Sequence, residues 1–184
     1  MAKQAESAVY RQLTDLFRTY GYEGTTLSLI SEATGLVKAS LYHRFPEGKQ
    51  QMAGKVLDQS DQEFVGHVLE PLSHTGDPRD RIAEVGRRLM RFYGAGKLSC
   101  LLDTLTLAGD SPVVREHARR SMEAWIGAFQ RVSQESGRTK EAARRRAEDA
   151  VAALEGALIV ARVSGNRKPF HRAVESLPER LVCT

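Results

Sequence analysis

In the stretch "LVKASLYHRFPEGK", residues 36–49, Lys38, Ser40, Tyr42 and His43 flank a single leucine, Leu41. On a helix Leu41 takes the inner side and leaves those four side chains on the outer one. All four are hydrogen-bond donors or mixed donors and acceptors, the chemistry that meets phosphate oxygens and base edges in a nucleic-acid groove. A solvated helical hairpin carries apolar residues at similar intervals, so spacing alone leaves both readings open.

Other chemistries find little support. His43, His67, His74, His117 and His171 are scattered, without an HExxH or a Cys-His ligand set, and no glycine-rich phosphate loop follows a strand. The sequence therefore predicts no enzyme activity, no metal site and no cofactor. Cys100 opens an apolar run and reads as a buried, inert thiol, and with the distant Cys183 it makes neither a CxxC pair nor a disulfide framework. A net charge of +4 and a pI near 9.2 admit a polyanionic partner without requiring one. Within the first sixty residues seven Lys and Arg face six Asp and Glu, so any attraction to phosphate comes from placement.

The elements that must place these groups are helical. Val9, Leu13, Leu16, Phe17 and Tyr20 draw one stripe on a first helix ending at Gly21. Thr26 caps a short second helix with Leu27, Ile30 and Ala33 inward, Gly35 permits a tight turn, and a third helix runs from Lys38 to about Arg44. Two short helices held near a right angle form a helix-turn-helix, the first a brace and the second a probe. A long amphipathic segment follows from about Glu47 to Leu72, with Met52, Val56, Leu57, Phe64, Val65 and Val68 on its packing side. Asp77-Pro78 and Ser111-Pro112 open further helices, another spans about Lys140 to Ser164, and Lys168-Pro169 precedes a final short one through Ala173, Val174 and Leu177. No strand alternation of useful length appears: the chain reads all-α, with about nine helices. The start "MAKQAESAVYRQ" lacks a secretory apolar core, and the most apolar run is broken by Glu155 and Arg162, which predicts a cytoplasmic chain with no membrane span.

The segment "LFRTYGYEGTTLSLISEATGLVKASLYHRFPEGKQQM" closely resembles the amino-terminal DNA-binding region of the TetR family of transcriptional regulators. The likeness lies in the Leu-Phe end of the first helix, the Gly-Tyr turn, the Thr-Thr cap, the central Thr-Gly and the Leu-Tyr-His-x-Phe ending. It implies a helix-turn-helix over about residues 26–45, a DNA-binding domain of residues 1–48 and an effector-binding and dimerisation domain of residues 49–184. Thr26 would cap the brace and approach a phosphate, Lys38, Ala39 and Ser40 would lie near bases, and Tyr42 and His43 would touch backbone or a base edge. Lys49 would hold a phosphate at the start of the fourth helix, and Phe45 would anchor the core. The chain departs from the family at Val37, where a capping Ser or Thr is common, and at Ala39, where Gly is common.

The second half resembles the LmrA/YxaF-like branch in "FPEGKQQM", "CLLDTLTLAG" and "LEGALIVARVSGNRKPFHRAVESLPERL". That likeness implies a ligand cavity, with Met90, Phe92, Cys100, Leu105, Met122, Trp125, Phe129 and Leu158 as candidate lining, although side chains of these types are more often plain core than pocket. A single probe helix makes few base contacts, and specificity normally takes two copies about 34–36 Å apart on a twofold site. Ala153, Gly156, Ala157 and Val160 in the apolar run, with Trp125, are the candidate dimer interface. The expected function is a ligand-responsive regulator, a repressor that binds a palindromic double-stranded operator as a homodimer and is released by a small apolar or aromatic effector. The alternative is a helical protein–protein interaction module without DNA binding.

Overall fold

The computed structural model describes residues 2–106 and 111–182, which leaves Cys183 outside the described residues. Ten α-helices and three short turns of π or 3-10 type make up the described chain, with no strand among them. None of these helices is long and apolar enough to cross a membrane.

The chain divides into two units, and the first comprises residues 1–61 with 100–119. It holds α1 (Ala2–Gly24), α2 (Leu27–Thr34), α3 (Lys38–Arg44), most of α4 (Lys49–Phe64), α6 (Leu101–Thr106) and the start of α7 (Pro112–Glu135). Its core holds most of the stripes the spacing predicts: Leu13, Phe17, Ile30, Leu41, Met52, Val56 and Leu57 are all fully buried. Leu16 is only half-buried, and Tyr20, expected on the inner face of the first helix, is 51 % exposed, because it lies just before the bend at Gly21. Helix α1 bends at Gly21, whose φ of 65° and ψ of −172° lie in a region open essentially to glycine. The bend seats α6 against α1. A Cβ at Gly21 would stand 3.0 Å from the Thr104 carbonyl oxygen. His117, near the start of α7, is held by two carboxylates of α4, with Nε2 at 2.7 Å from Asp61 and Nδ1 at 3.4 Å from Asp58.

The second unit comprises residues 62–99 and 120–184 and includes α5 (Pro78–Phe92), most of α7, α8 (Lys140–Ser164), α9 (Lys168–Glu175) and α10 (Leu177–Val182). Aromatic side chains thread its core. Trp125 stacks on Phe64 at 3.8 Å, Phe64 meets Phe92 edge-on at 5.2 Å, and Tyr93 links Phe92 at 5.1 Å to Phe170 at 5.8 Å. The buried Arg81 closes the loop before α5 by donating to the carbonyls of Leu72 at 3.1 Å and His74 at 2.8 Å, and it pairs with Glu135.

Two expectations need correction. The segment from Glu47 is not one helix to Leu72: α4 ends at Phe64, a π-helical turn covers Val65–Leu69, and a 3-10 turn with Pro71 covers Glu70–Ser73. The wider turn rotates the following side chains out of the α-helical register. Val65, expected on the packing side, is accordingly 50 % exposed, while Val68 is fully buried. Leu177 does not end the last short helix but starts α10, after Ser176 closes α9 through its N–H to the Arg172 carbonyl.

Candidate nucleic-acid interface

Two adjacent threonines set the entry to the brace helix. Thr25 is fully buried, and its hydroxyl donates to the Gly21 carbonyl at 2.7 Å, tying the turn to the end of α1. Thr26 is exposed, and its hydroxyl oxygen accepts the Leu29 N–H at 3.2 Å as the N-cap of α2. At the far end Gly35 takes the left-handed conformation, φ 66°, that ends the helix. Hydroxyls then fix the turn: Thr34 donates to the Ile30 carbonyl at 2.6 Å and accepts the Leu36 N–H at 3.3 Å, and Ser31 donates to the Leu36 carbonyl at 2.6 Å.

The probe helix α3 starts at Val37 without a side-chain cap, the defect the sequence predicts. Leu41 at 0 % and Phe45 at 2 % exposure pin its inner side, and the Phe45 ring meets Tyr10 edge-on at 6.3 Å. The other side is open. Lys38, Ala39, Ser40, Tyr42 and His43 are all exposed, as is Arg44. Leu36, Ala39, Ser40, His43 and Arg44 border a surface hollow of about 450 Å³. Arg44 received no role in the sequence reading, although it follows Ser40 by four residues and so shares its side of the helix. His43 and Arg44 also occupy the last turn, where positive charge complements the helix dipole.

Lys49 opens α4 in a setting built by the end of α1. Its Nζ lies 3.9 Å from Glu23 Oε2 and 4.5 Å from the centroid of the Tyr22 ring, which stacks on Phe17 at 6.4 Å. Burial, with the Glu23 charge adding to it, pushes the Tyr22 phenol above its ordinary value. The ammonium is thus aimed by a ring and a carboxylate from the "GYEG" turn, two groups the sequence reading left without a role.

The brace, the left-handed glycine turn and the open probe helix form a helix-turn-helix. Residues 3–56 match the family model for bacterial regulatory proteins of the tetR family, and residues 94–176 match the transcriptional regulator LmrA/YxaF-like C-terminal domain. The chain belongs to the TetR family. Relatives agree along its length: the HTH-type transcriptional repressor DhaR of Mycobacterium sp. strain GP1 is 28 % identical over 181 residues, 92 % of this chain and 88 % of DhaR. The HTH-type transcriptional regulator LmrA of Bacillus subtilis strain 168 is 23 % identical over 172 residues, 91 % of this chain and 92 % of LmrA. Among solved structures, the TetR-family regulator CifR, in a cysteine-substituted form with 26-base-pair operator DNA, shares the fold at a TM-score of 0.78 and 20 % identity, covering 93 % of this chain and 94 % of CifR.

This TetR-family regulator distributes its candidate pocket residues over both units. Cys100 and Leu105 lie buried in the first; Trp125, Phe129 and Leu158 are buried in the second, where Met90, Phe92 and Met122 are half-buried. The second unit has a hollow elsewhere, along residues 65–73 and α7, and none of the eight candidates borders it. Among the candidate interface residues, Trp125 at 5 % and Ala157 at 8 % exposure belong to the core of their own chain, and Ala153 is half-buried. Gly156 and Val160 are exposed and share a stripe on α8 with Ile159 and Val163, the last 80 % exposed.

Proposed function

We propose that this TetR-family member regulates transcription by reading double-stranded operator DNA as a homodimer and that a small effector bound by its body releases it. Residues 1–48 act as the DNA-binding domain and residues 49–184 as the effector-binding and dimerisation domain, with the cytoplasm as the place of work. The reading rests on one observation above all: α3 buries Leu41 completely and turns Lys38, Ala39, Ser40, Tyr42 and His43 to solvent at the front and middle of a seven-residue helix. Helices of this kind enter the major groove by their first turns.

Each side chain has a task suited to its chemistry. Lys38 and Ser40 reach base edges, the Ala39 methyl rests against a thymine methyl, and Tyr42 and His43 engage the backbone or a base edge. Thr26 and Lys49 grip phosphates on either side, Lys49 from a helix start whose dipole favours an anion. Dimerisation uses the exposed apolar stripe of α8, Gly156, Ile159, Val160 and Val163, where a glycine lets a second helix approach closely. The repressor name of DhaR supports repression as the direction. An effector that prefers subunits whose probes are mis-spaced for successive grooves shifts the population off the operator in proportion to that preference.

Retention of the protein's own upstream intergenic DNA on native gels tests this reading. Sequence-selective retention by the unaltered protein, lost in Tyr42→Ala and weakened in Lys49→Ala, supports it; retention of every sequence alike, or of none, rejects it.

A further inference from the structure

The aromatic centre of the second unit is filled by its own side chains: the rings of Phe64 and Trp125 stack at 3.8 Å and Phe92 closes on them edge-on. The open space lies beside it. A hollow of about 390 Å³, within the roughly 300–1,000 Å³ usual for small-molecule sites, runs between the π-helical turn Val65–Leu69 and α7. Its walls are apolar, with Leu69, Leu72 and Ala128 nearly buried and the Val65 side chain turned outward along one edge. Gly66 and Ala124 keep it open, since even a Cβ added at Gly66 would meet nothing within 4 Å.

Two charged residues border the hollow, and their states differ. Glu70 is engaged, with Oε2 at 2.9 Å from Arg88 Nη1 and Oε1 at 2.5 Å from His74 Nε2. Arg131 forms no hydrogen bond or ion pair among the described residues. The acid one helical turn beyond it, Glu135, is turned to Arg81 instead. Its guanidinium lies over Gly127, with Nη1 3.7 Å from where a Cβ would stand there. The hollow thus joins an apolar trough to one uncommitted planar cation, and the π-turn that shapes it is a distortion often found at functional sites.

We propose that this hollow is the effector site and that its ligand is a small amphipathic carboxylate. The guanidinium fork of Arg131 takes the carboxylate in a bidentate pair, the geometry that suits arginine better than lysine, and the hydrocarbon body covers Leu69, Leu72 and Ala128. The Arg131 charge repels a cationic head, and Glu70, already engaged by Arg88 and His74, is not free to pair with one, so organic ammonium ions are disfavoured. This deepens the ligand-responsive reading, on which only the consequence for DNA depends; binding itself is measured without DNA.

Isothermal titration of the full chain with decanoate, 1-decanol and decyltrimethylammonium, alongside fluorescence of the lone tryptophan, Trp125, tests the assignment. The expected result is saturable binding of decanoate, at least about tenfold weaker in Arg131→Gln, as loss of a charged hydrogen-bond pair implies, and blocked in Ala124→Leu, which fills the trough. Arg131 and Ala124 are both exposed, so these variants keep their fold, and circular dichroism checks it. Absence of saturable decanoate binding overturns the proposal, as does equal affinity for the ammonium or unchanged affinity in either variant. A change in oligomeric state on Arg131→Gln, with no ligand heat in either form, assigns the hollow to contact between copies and also overturns it. Saturable binding in a protein that retains no DNA leaves the site standing and rejects the DNA reading alone.

Discussion

The carbonyl oxygen of Thr104 sits 3.0 Å from the point a Cβ would occupy on Gly21, so α6 rests on α1 at a position where the side chain is missing. The Gly21 backbone, φ 65° and ψ −172°, is itself closed to other residues. Gly21→Ala combines strain with a collision and should cost about 2 kcal/mol or more. Urea unfolding followed by circular dichroism checks this; an unchanged midpoint would mean that α1 and α6 do not meet in this way.

The caps of the two reading helices offer a matched pair of changes. Thr26→Ala removes the acceptor for the Leu29 N–H and should destabilise by about 1 kcal/mol. Val37→Ser supplies a cap that α3 lacks, at a side chain already 65 % exposed, and should stabilise by up to about 1 kcal/mol. Thermal melts of the two variants should move in opposite directions.

Acid should find a definite weak point in the second unit. Hydrogen bonds from Arg88 first, then from Arg87, hold the Glu84 carboxyl down at about 2, below its ordinary 4.5. A carboxyl depressed in the folded state stabilises above its unfolded value and loses that contribution as pH falls toward the folded one. The stability gap between the unaltered chain and Glu84→Gln should therefore be constant above about pH 5.5 and close between about pH 4.5 and 2. A gap that widens on acidification would show the sign to be wrong.

Much of this was legible from spacing. The Leu41 environment, the Thr26 cap, the Gly35 turn and the uncapped Val37 follow from local chemistry, which a sequence displays directly. So do the bounds of α8, where Thr139 caps through the Ala142 N–H and Gly165 ends the helix left-handed. What escaped was decided by partners far away in the chain. Spacing alone suits Trp125 to an interface, a pocket or a core; its stacking on Phe64, sixty-one residues earlier, makes it core. The π-turn at Val65–Leu69 exchanges one residue of register, a shift that an apolar periodicity absorbs without trace. Arg131 is singled out because it borders the hollow while Glu135, one turn on, turns to Arg81, choices made in three dimensions.

The α8 stripe bears on assembly. Val160, 49 % exposed beside Val163 and Gly156, should tolerate Val160→Asp in an isolated chain but not in a helix pair. Sedimentation velocity should show a dimer for the unaltered protein and a monomer for Val160→Asp, with melting of the monomer little changed. A variant that remains dimeric would place the interface elsewhere.

Whether the outward side of α3 reads DNA is tested most directly by fluorescence anisotropy with the upstream intergenic fragment and a scrambled duplex, titrated over a salt series. Binding should be selective for the intergenic fragment and weaken steeply with salt; Lys49→Ala, which removes a phosphate contact, should lower the salt slope by about one unit, and Lys38→Ala and Tyr42→Ala should erode the preference between duplexes. Equal affinity for the two duplexes, or selective binding that Lys38→Ala and Tyr42→Ala leave untouched, would contradict it.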